Sequence, residues 1–299
     1  MIEFNKLKKE DFDTIYPFLV LDKTKSCEKT PVAIMMWREF YSTEWAIYKN
    51  TLIIRYNFDD ETSYLTPIGE NVPEVVKALG NVTYVGVCNE DIEKVASKDA
   101  EIIKDRDNFD YIYLAEDLKT FSGKKLHAKK NFLNRFKKNY QYEYIKEPDK
   151  KEMIDFFTYI DKKQPHYDET GTAELNETID IIENRETFKA YTAAIKVDGK
   201  IIAACVGSVL DDTLYVHIEK ADLDYDGSYQ AIVSEFAKSF DNIEYINRED
   251  DLGEEGLRTS KLSYKPLYLL EKSHIVNDPA LKDKFLKSQV QDRTLAQTT

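Results

Sequence analysis

The 299-residue sequence predicts a mixed α+β protein made of two similar lobes. Three observations predict it. The length suits two domains of ordinary size. Apolar residues recur with a period of two in some stretches and near 3.6 in others, the marks of half-buried strands and amphipathic helices. The order of elements also repeats. A three-stranded meander, a helix, a strand, a short helix and a strand occur on each side of a basic segment at residues 122–142. The expected division is an N-terminal lobe at 1–121, a connecting basic helix at 122–147 and a C-terminal lobe at 148–299 that carries the site.

In the first lobe, residues 10–19 set Phe12, Ile15, Tyr16 and Leu19 on one helical face, with Pro17 near the end. Residues 31–41 read as helix or strand. From Trp45 the period is two, and strands are expected at 45–48, 52–58 and 64–68, with turns at Lys49-Asn50 and Asp59-Asp60-Glu61. A helix at 73–79 starts on Pro73 and stops at Gly80. A buried strand at 82–87, a helix at 90–96 and a strand at 111–114 follow.

The second lobe opens with helices at 151–160 and 174–183. Strands at 191–197 and 201–210 form a hairpin on Asp198-Gly199, the strongest short turn signal in the chain. Asp211-Asp212 leads into a strand at 214–220. There Leu214, Val216 and Ile218 should face a core while Tyr215, His217 and Glu219 form a polar face. An amphipathic helix at 228–240, a strand at 244–247, a short helix or turn at 253–261 and a last strand at 267–275 complete the lobe. Asp278-Pro279 can start a C-terminal helix, and 289–299 should fray. The meander–helix–strand order is that of the acyltransferase fold named for the N-acetyltransferases, and other α+β folds begin in the same way.

Charge is unevenly spread. The chain carries −13 overall, yet residues 118–142 hold eight Lys or Arg and no acid. The acidic balance argues against a general binder of nucleic acid or membrane surfaces, so an anionic partner must be met locally. Leu126, Leu133, Phe136 and Tyr140 recur at helical spacing within the basic segment, with Phe132 beside them. Lys125 and Lys129 fall in the same arc, where they must snorkel or face a cleft that wants positive charge. Cys27, Cys88 and Cys205 are far apart and odd in number, which suggests neither a disulfide framework nor a metal site. His127, His166, His217 and His274 lack ligand spacing. The first ten residues do not read as a secretion signal, and no apolar run approaches the roughly 18 residues of a membrane span. A cytoplasmic protein is expected.

No nucleotide-binding glycine loop, zinc-protease helix or nucleophile elbow is present. The densest polar stretch is YINREDDLGEEGLRTSKLSY, where a short strand runs into Asn247, Arg248, Glu249, Asp250 and Asp251, followed by Arg258, Lys261 and Tyr264. Strand ends are where clefts open. Such charges can pair with one another, or Glu249 or Asp250 can hold an ammonium while Arg248 or Arg258 holds a carboxylate or phosphate. Glu219 and His217 are candidate proton acceptors, and an edge strand facing water accounts equally for His217. Gly227, Ser228, Tyr229 and Gln230 open a helix whose N-terminus can hold a phosphate, although Asp222, Asp224 and Asp226 oppose an anion there.

Three blocks carry a resemblance: GKKLHAKKNFLNRFKK, HIEKADLDYDGSYQAIVSEFA and INREDDLGEEGLRTSKLSYKP. Together they resemble the signature blocks of the phosphatidylglycerol lysyltransferase C-terminal domain family. The resemblance implies two tandem acetyltransferase-like lobes, joined by a helix and related to the peptidoglycan aminoacyl transferases. The best-known members move an aminoacyl group from aminoacyl-tRNA onto a lipid hydroxyl. Carried over by block, it points to Lys129, Lys130, Asn131 and Arg135, then to Glu219, Lys220, Gly227, Tyr229 and Gln230. In the third block it points to Asn247, Arg248, Glu249, Asp250, Gly256, Arg258 and Lys261.

The expected function is therefore acyl transfer, most specifically of an aminoacyl group from an aminoacyl-tRNA-like donor to a small or lipid-derived acceptor. Glu219, Glu249, Arg258 and Lys261 are the expected catalytic groups. His217, Lys220, Asn247, Arg248 and Asp250 are expected to bind substrate. Lys125, Lys129, Lys130, Arg135, Gly227, Tyr229 and Gln230 are expected to hold the donor's phosphates, with the acceptor end of tRNA as a partner. Two alternatives stand beside it: an acyl-coenzyme A-dependent N-acetyltransferase acting on a small amine, and a non-catalytic ligand-binding module of the same fold.

Overall fold

A computed structural model describes residues 2–163, 169–278 and 280–281, without the side chains of 169–172. His166, the segment 289–299 and, apart from the helical residues 280–281, the helix expected from Asp278-Pro279 lie outside the described residues. The chain divides into two compact units. One is Met1–Asp110 with Asp250–Glu254 and Leu270–Thr299; the other is Tyr111–Glu249 with Glu255–Leu269. These bounds differ from the division read from the sequence, because the chain's last strand returns to the first sheet.

The first unit contains β1 (Asn5–Lys6), β2 (Glu44–Tyr48), β3 (Thr51–Phe58), β4 (Glu61–Tyr64), β5 (Ile68–Gly69), β6 (Thr83–Cys88) and β7 (Glu101–Lys104). Its helices are α1 (Phe12–Leu19), α2 (Pro31–Met36), α3 (Val72–Leu79) and α4 (Ile92–Val95). The ambiguous segment after Pro31 is helical because Thr30 caps it, its Oγ1 accepting from the Ala33 N–H at 3.2 Å, with Pro31 at the first helical position. Lys49, Asn50, Asp59 and Asp60 all take positive φ, so both expected turns are the tight hairpin kind. Ile53, Tyr64, Val75, Tyr84, Val87, Val95 and Ile275 form a buried cluster of the unit.

The second unit begins with β8 (Asp110–Leu114), which straddles the boundary, followed by β9 (Tyr142–Lys146), β10 (Tyr191–Val197), β11 (Lys200–Leu210), β12 (Thr213–Ala221), β13 (Tyr245–Asn247) and β14 (Tyr268–Leu270). Its helices are α5 (Ala115–Thr120), α6 (His127–Asn139), α7 (Lys150–Lys163), α8 (Glu169–Glu183), α9 (Arg185–Phe188), α10 (Ser228–Lys238) and α11 (Glu255–Ser263). The strand order is β14-β8-β13-β12-β11-β10-β9. Asp198 and Gly199 both have positive φ, as the β10–β11 hairpin requires.

The single last strand expected at 267–275 is two. β14 stays in the second sheet, whereas β15 (Lys272–Val276) pairs antiparallel with β6 and β7 in the first. A run of alternating apolar residues carries no signal of which sheet it joins.

Within the second unit, α5, α6 and α10 lie on one face of the sheet. Leu118, Leu133, Phe136, Ile232 and Phe236 share a core there with Ala193, Ile195, Ala203 and Cys205. The apolar stripe is as expected: Leu126, Leu133 and Phe136 are buried, Lys130, Lys137 and Lys138 are exposed, and Lys129 is half-buried. The helix itself is shorter than the basic segment, because Lys124–Leu126 is a 3₁₀ turn and the chain leaves helix at Tyr140.

The expected regular alternation along β12 fails. Leu214 and Ala221 are seven residues apart, an odd number, yet both lie in the helix-side core. The cause is a register slip between Val206 and Gly207 of β11, where Val206 pairs with Ile218 but Gly207 with Val216. His217 is the extra residue of this bulge, and the strand changes phase there. Glu219 consequently shares the helix-side face with Ala221.

Candidate functional site

β12 and β13 run parallel, but they pair only from Thr213 opposite Tyr245 to Tyr215 opposite Asn247. β12 continues straight to Ala221. The other chain leaves the sheet after Asn247, with Glu249 at φ 56° and its N–H on the Asn247 side-chain oxygen at 2.6 Å. The strands thus part into a notch, bridged by two polar pairs. Two residues beyond the last strand pair, His217 Nδ1 meets Glu249 Oε1 at 2.8 Å. Deeper, Arg248 donates to Glu219 Oε1 at 2.9 Å. Two backbone bonds tie this segment to β8: the Arg248 N–H to the Tyr111 carbonyl and the Tyr111 N–H to the Glu249 carbonyl, each at 3.1 Å.

The Glu219 carboxylate faces three cations. Besides Arg248, it interacts with Lys261 of α11 and Lys129 of α6. Burial pushes its carboxyl above the ordinary value, against the pull of Arg248, Lys261 and Lys129. Burial likewise works against the Arg248 charge, but the Glu219 carboxylate and the Tyr264 and Tyr113 phenols outweigh it and raise the pKa further. Lys129 goes the other way. Burial and the nearby Arg248 charge lower it to about 8, with Glu219 opposing. The Lys129 ammonium lies 3.9 Å from the centre of the Tyr264 ring, and the Arg248 guanidinium 4.6 Å from the same ring. Tyr264 is itself buried; its hydroxyl accepts from the Gln230 amide at 2.8 Å, and burial raises it to about 12. Lys261 Nζ donates to the Arg248 carbonyl at 2.7 Å. One atom is left over: Arg248 Nη1 is buried and makes no hydrogen bond. An orphaned guanidinium nitrogen in a buried, cationic corner favours an anion or a developing oxyanion.

Several expected site residues therefore come together: Lys129, Glu219, Arg248, Lys261 and, through Tyr264, Gln230. Tyr229 lies near Glu219, and burial raises its phenol. His217 and Asn247 are buried where the strands part, and Glu249 beside them is partly exposed.

Others do not join them. Lys125 pairs with Asp117 at 2.6 Å, half-exposed. Lys130 is exposed. Arg135 pairs with Asp226 at 3.3 Å. Lys220, on the opposite face of β12 from Glu219, pairs with Glu174 of α8 at 2.6 Å. Asp250 falls in the first unit, 4.0 Å from Lys272. Gly227 has a packing reason: a Cβ there would lie 2.5 Å from the Phe132 carbonyl oxygen of α6 and 3.0 Å from Phe136 Cβ. Arg258 sits half-exposed on α11.

Sequence reasoning left Ser208, Tyr113 and Tyr264 out of the site. Ser208 Oγ lies 2.8 Å from His217 Nε2. Only the pairing of β11 with β12 brings the two together. Tyr264, three residues from Lys261 on the same helical turn, was within reach of a spacing argument.

In the first unit, Cys27, Glu28, Asp110 and Asp250 offer ligand atoms within 4.8 Å of one another. The buried Lys272 ammonium already supplies a cation there. It bonds to Glu28 and Asp110 (2.7 Å for Asp110) and lies 3.8 Å from the Cys27 sulfur. No helix among the described residues is long and apolar enough to cross a membrane.

The family model described as phosphatidylglycerol lysyltransferase, C-terminal, matches residues 23–275. The chain belongs to this family. An uncharacterised protein of Mycoplasmoides gallisepticum is 31% identical over 190 residues, covering 61% of this chain and 60% of that relative. The chain thus spans about 60% of that curated relative's length. A solved structure of a conserved protein of unknown function from Bacteroides thetaiotaomicron is 32% identical, with 92% of this chain and 99% of that one covered and a TM-score of 0.82. The structure of L-PGS from Bacillus licheniformis is 15% identical, with 88% and 91% covered and a TM-score of 0.62, a likeness of fold. The fold is that of two tandem acetyltransferase-like lobes.

Proposed function

We propose that the protein transfers an aminoacyl group from an activated ester, of the aminoacyl-tRNA kind, to an amine or hydroxyl of a small or lipid-derived acceptor. The observation that carries this reading is Arg248, whose Nη1 is buried without a hydrogen-bond partner, set among Lys129, Lys261 and the Glu219 carboxylate. Acyl transfer builds negative charge on the carbonyl oxygen, and preorganised donors in a dry site stabilise it most. Arg248 and Lys261 take that role, and Glu219 holds the ammonium of the aminoacyl group. Glu249, through His217, removes the proton of the attacking group. Lys129 has its amine at the notch, and the exposed lysines of α6 attract the donor's phosphates.

The test is transfer of a labelled aminoacyl group from charged tRNA. Wild-type protein should transfer it, and Arg248→Met should lose on the order of 10²–10³-fold in kcat while staying folded. Transfer at the wild-type rate by Arg248→Met, or no transfer from any charged tRNA to amine or hydroxyl acceptors, refutes the reading.

A further inference from the structure

We infer that Ser208, His217 and Glu249 form a nucleophile–base–carboxylate relay, and that the acyl group passes through an ester on Ser208. This rests on the acyl-transfer reading and deepens it. The three residues come from β11, from the bulge of β12 and from the turn after β13. Ser208 Oγ to His217 Nε2 is 2.8 Å, and His217 Nδ1 to Glu249 Oε1 is 2.8 Å. An ionised carboxylate only accepts hydrogen bonds, so Nδ1 carries the proton toward Glu249. The neutral ring then presents its Nε2 lone pair to the Ser208 hydroxyl. A nucleophile beside a base, with the base oriented by a third group, is the recurring arrangement of covalent acyl transfer.

The surroundings hold this arrangement in place. The Tyr215 ring lies parallel to the imidazole, 8° between planes with centroids 6.4 Å apart. Glu249 is pinned in its left-handed conformation by the Asn247 side chain and by the Tyr111 N–H. Gly207, next to Ser208, allows the two strands to meet at the bulge: a Cβ there would be 2.5 Å from the Tyr215 carbonyl oxygen. Any side chain at 207 would push β11 off β12 and draw Ser208 away from His217. Ser208 is only 5% exposed, so its hydroxyl is held away from bulk water.

The steps balance without any further reactant. Ser208 Oγ attacks the donor's ester carbonyl as its proton moves to His217 Nε2. The bond from the carbonyl carbon to the donor's ribose oxygen breaks, and His217 returns the proton to that oxygen. The acceptor's amine or hydroxyl then gives a proton to His217 and attacks the Ser208 ester, which releases Ser208 with its hydrogen restored.

Three measurements decide it. An alkyl phosphonofluoridate with mass spectrometry should place one adduct on Ser208 of the full chain, absent in Ser208→Ala and His217→Gln and slowed in Glu249→Gln. A single turnover with radiolabelled aminoacyl ester should leave hydroxylamine-labile label on the wild type and on Ser208→Cys. Ser208→Ala should lose at least about 10²-fold in transfer at unchanged Tm. No adduct on folded wild-type protein, or transfer by Ser208→Ala at the wild-type rate, overturns the relay and leaves the transferase reading standing. An adduct on Ser208 with no transfer from any aminoacyl ester overturns the transferase reading and leaves the relay.

Discussion

The Lys129 amine offers the sharpest check on the site's electrostatics. Its pKa is lowered from the ordinary 10.5 to about 8 by burial and by Arg248. At pH 8 about half the molecules should then carry a neutral Lys129, against about 0.3% for an ordinary lysine, a ratio on the order of 10². Trace acylation with acetic anhydride across pH 6–11, read by peptide mass spectrometry, gives each lysine's titration midpoint. The midpoint is independent of how accessible the amine is. Lys129 should titrate near 8, well below the value of about 10.4 of a lysine in a model peptide. Two variants should move it in opposite directions. Arg248→Met removes a like charge and should raise the midpoint; Glu219→Gln removes the one opposing carboxylate and should lower it. Stability follows the same equilibrium. Between about pH 8 and 10.5 the unfolded chain holds a proton on Lys129 that the folded chain lacks, so this group's contribution to stability rises with pH over that window. A Lys129 midpoint above 10, unmoved by either variant, would refute the placement of this amine beside Arg248.

Other outcomes are expected elsewhere. Gly227→Ala should destabilise by about 2 kcal/mol or more in urea unfolding, from positive φ and collision with the Phe132 carbonyl. Lys272→Met leaves the buried Asp110 without its ammonium partner and should cost about 3–5 kcal/mol in urea unfolding. If Arg258 helps stabilise the oxyanion, Arg258→Ala should lower transfer on the order of 10²-fold with Tm unchanged; a wild-type rate would remove it from the machinery.

The sequence by itself determined the α+β class, the hairpin at Asp198-Gly199, the turns at Lys49-Asn50 and Asp59-Asp60, and the buried stripe of the basic helix. Each depends on residues near one another in the chain, where φ preference and apolar period act directly. It also brought out Arg248 and Lys261, because mixed charges at a strand end are readable as a pattern, and Glu219, as a polar residue alternating along a strand. Only the tertiary structure decided which of them meet. The bulge at His217 shifts the phase of β12 and turns Glu219 toward α6 and α10, and a one-residue slip leaves no mark in the amino-acid order. Ser208 reaches His217 through strand pairing, nine positions away in sequence. Lys125 and Lys129, four apart on one helix, part company because Asp117 stands beside the first and Tyr264 beneath the second. Pairing partners and neighbours across a core are set by the packing of the whole chain, which no local window contains.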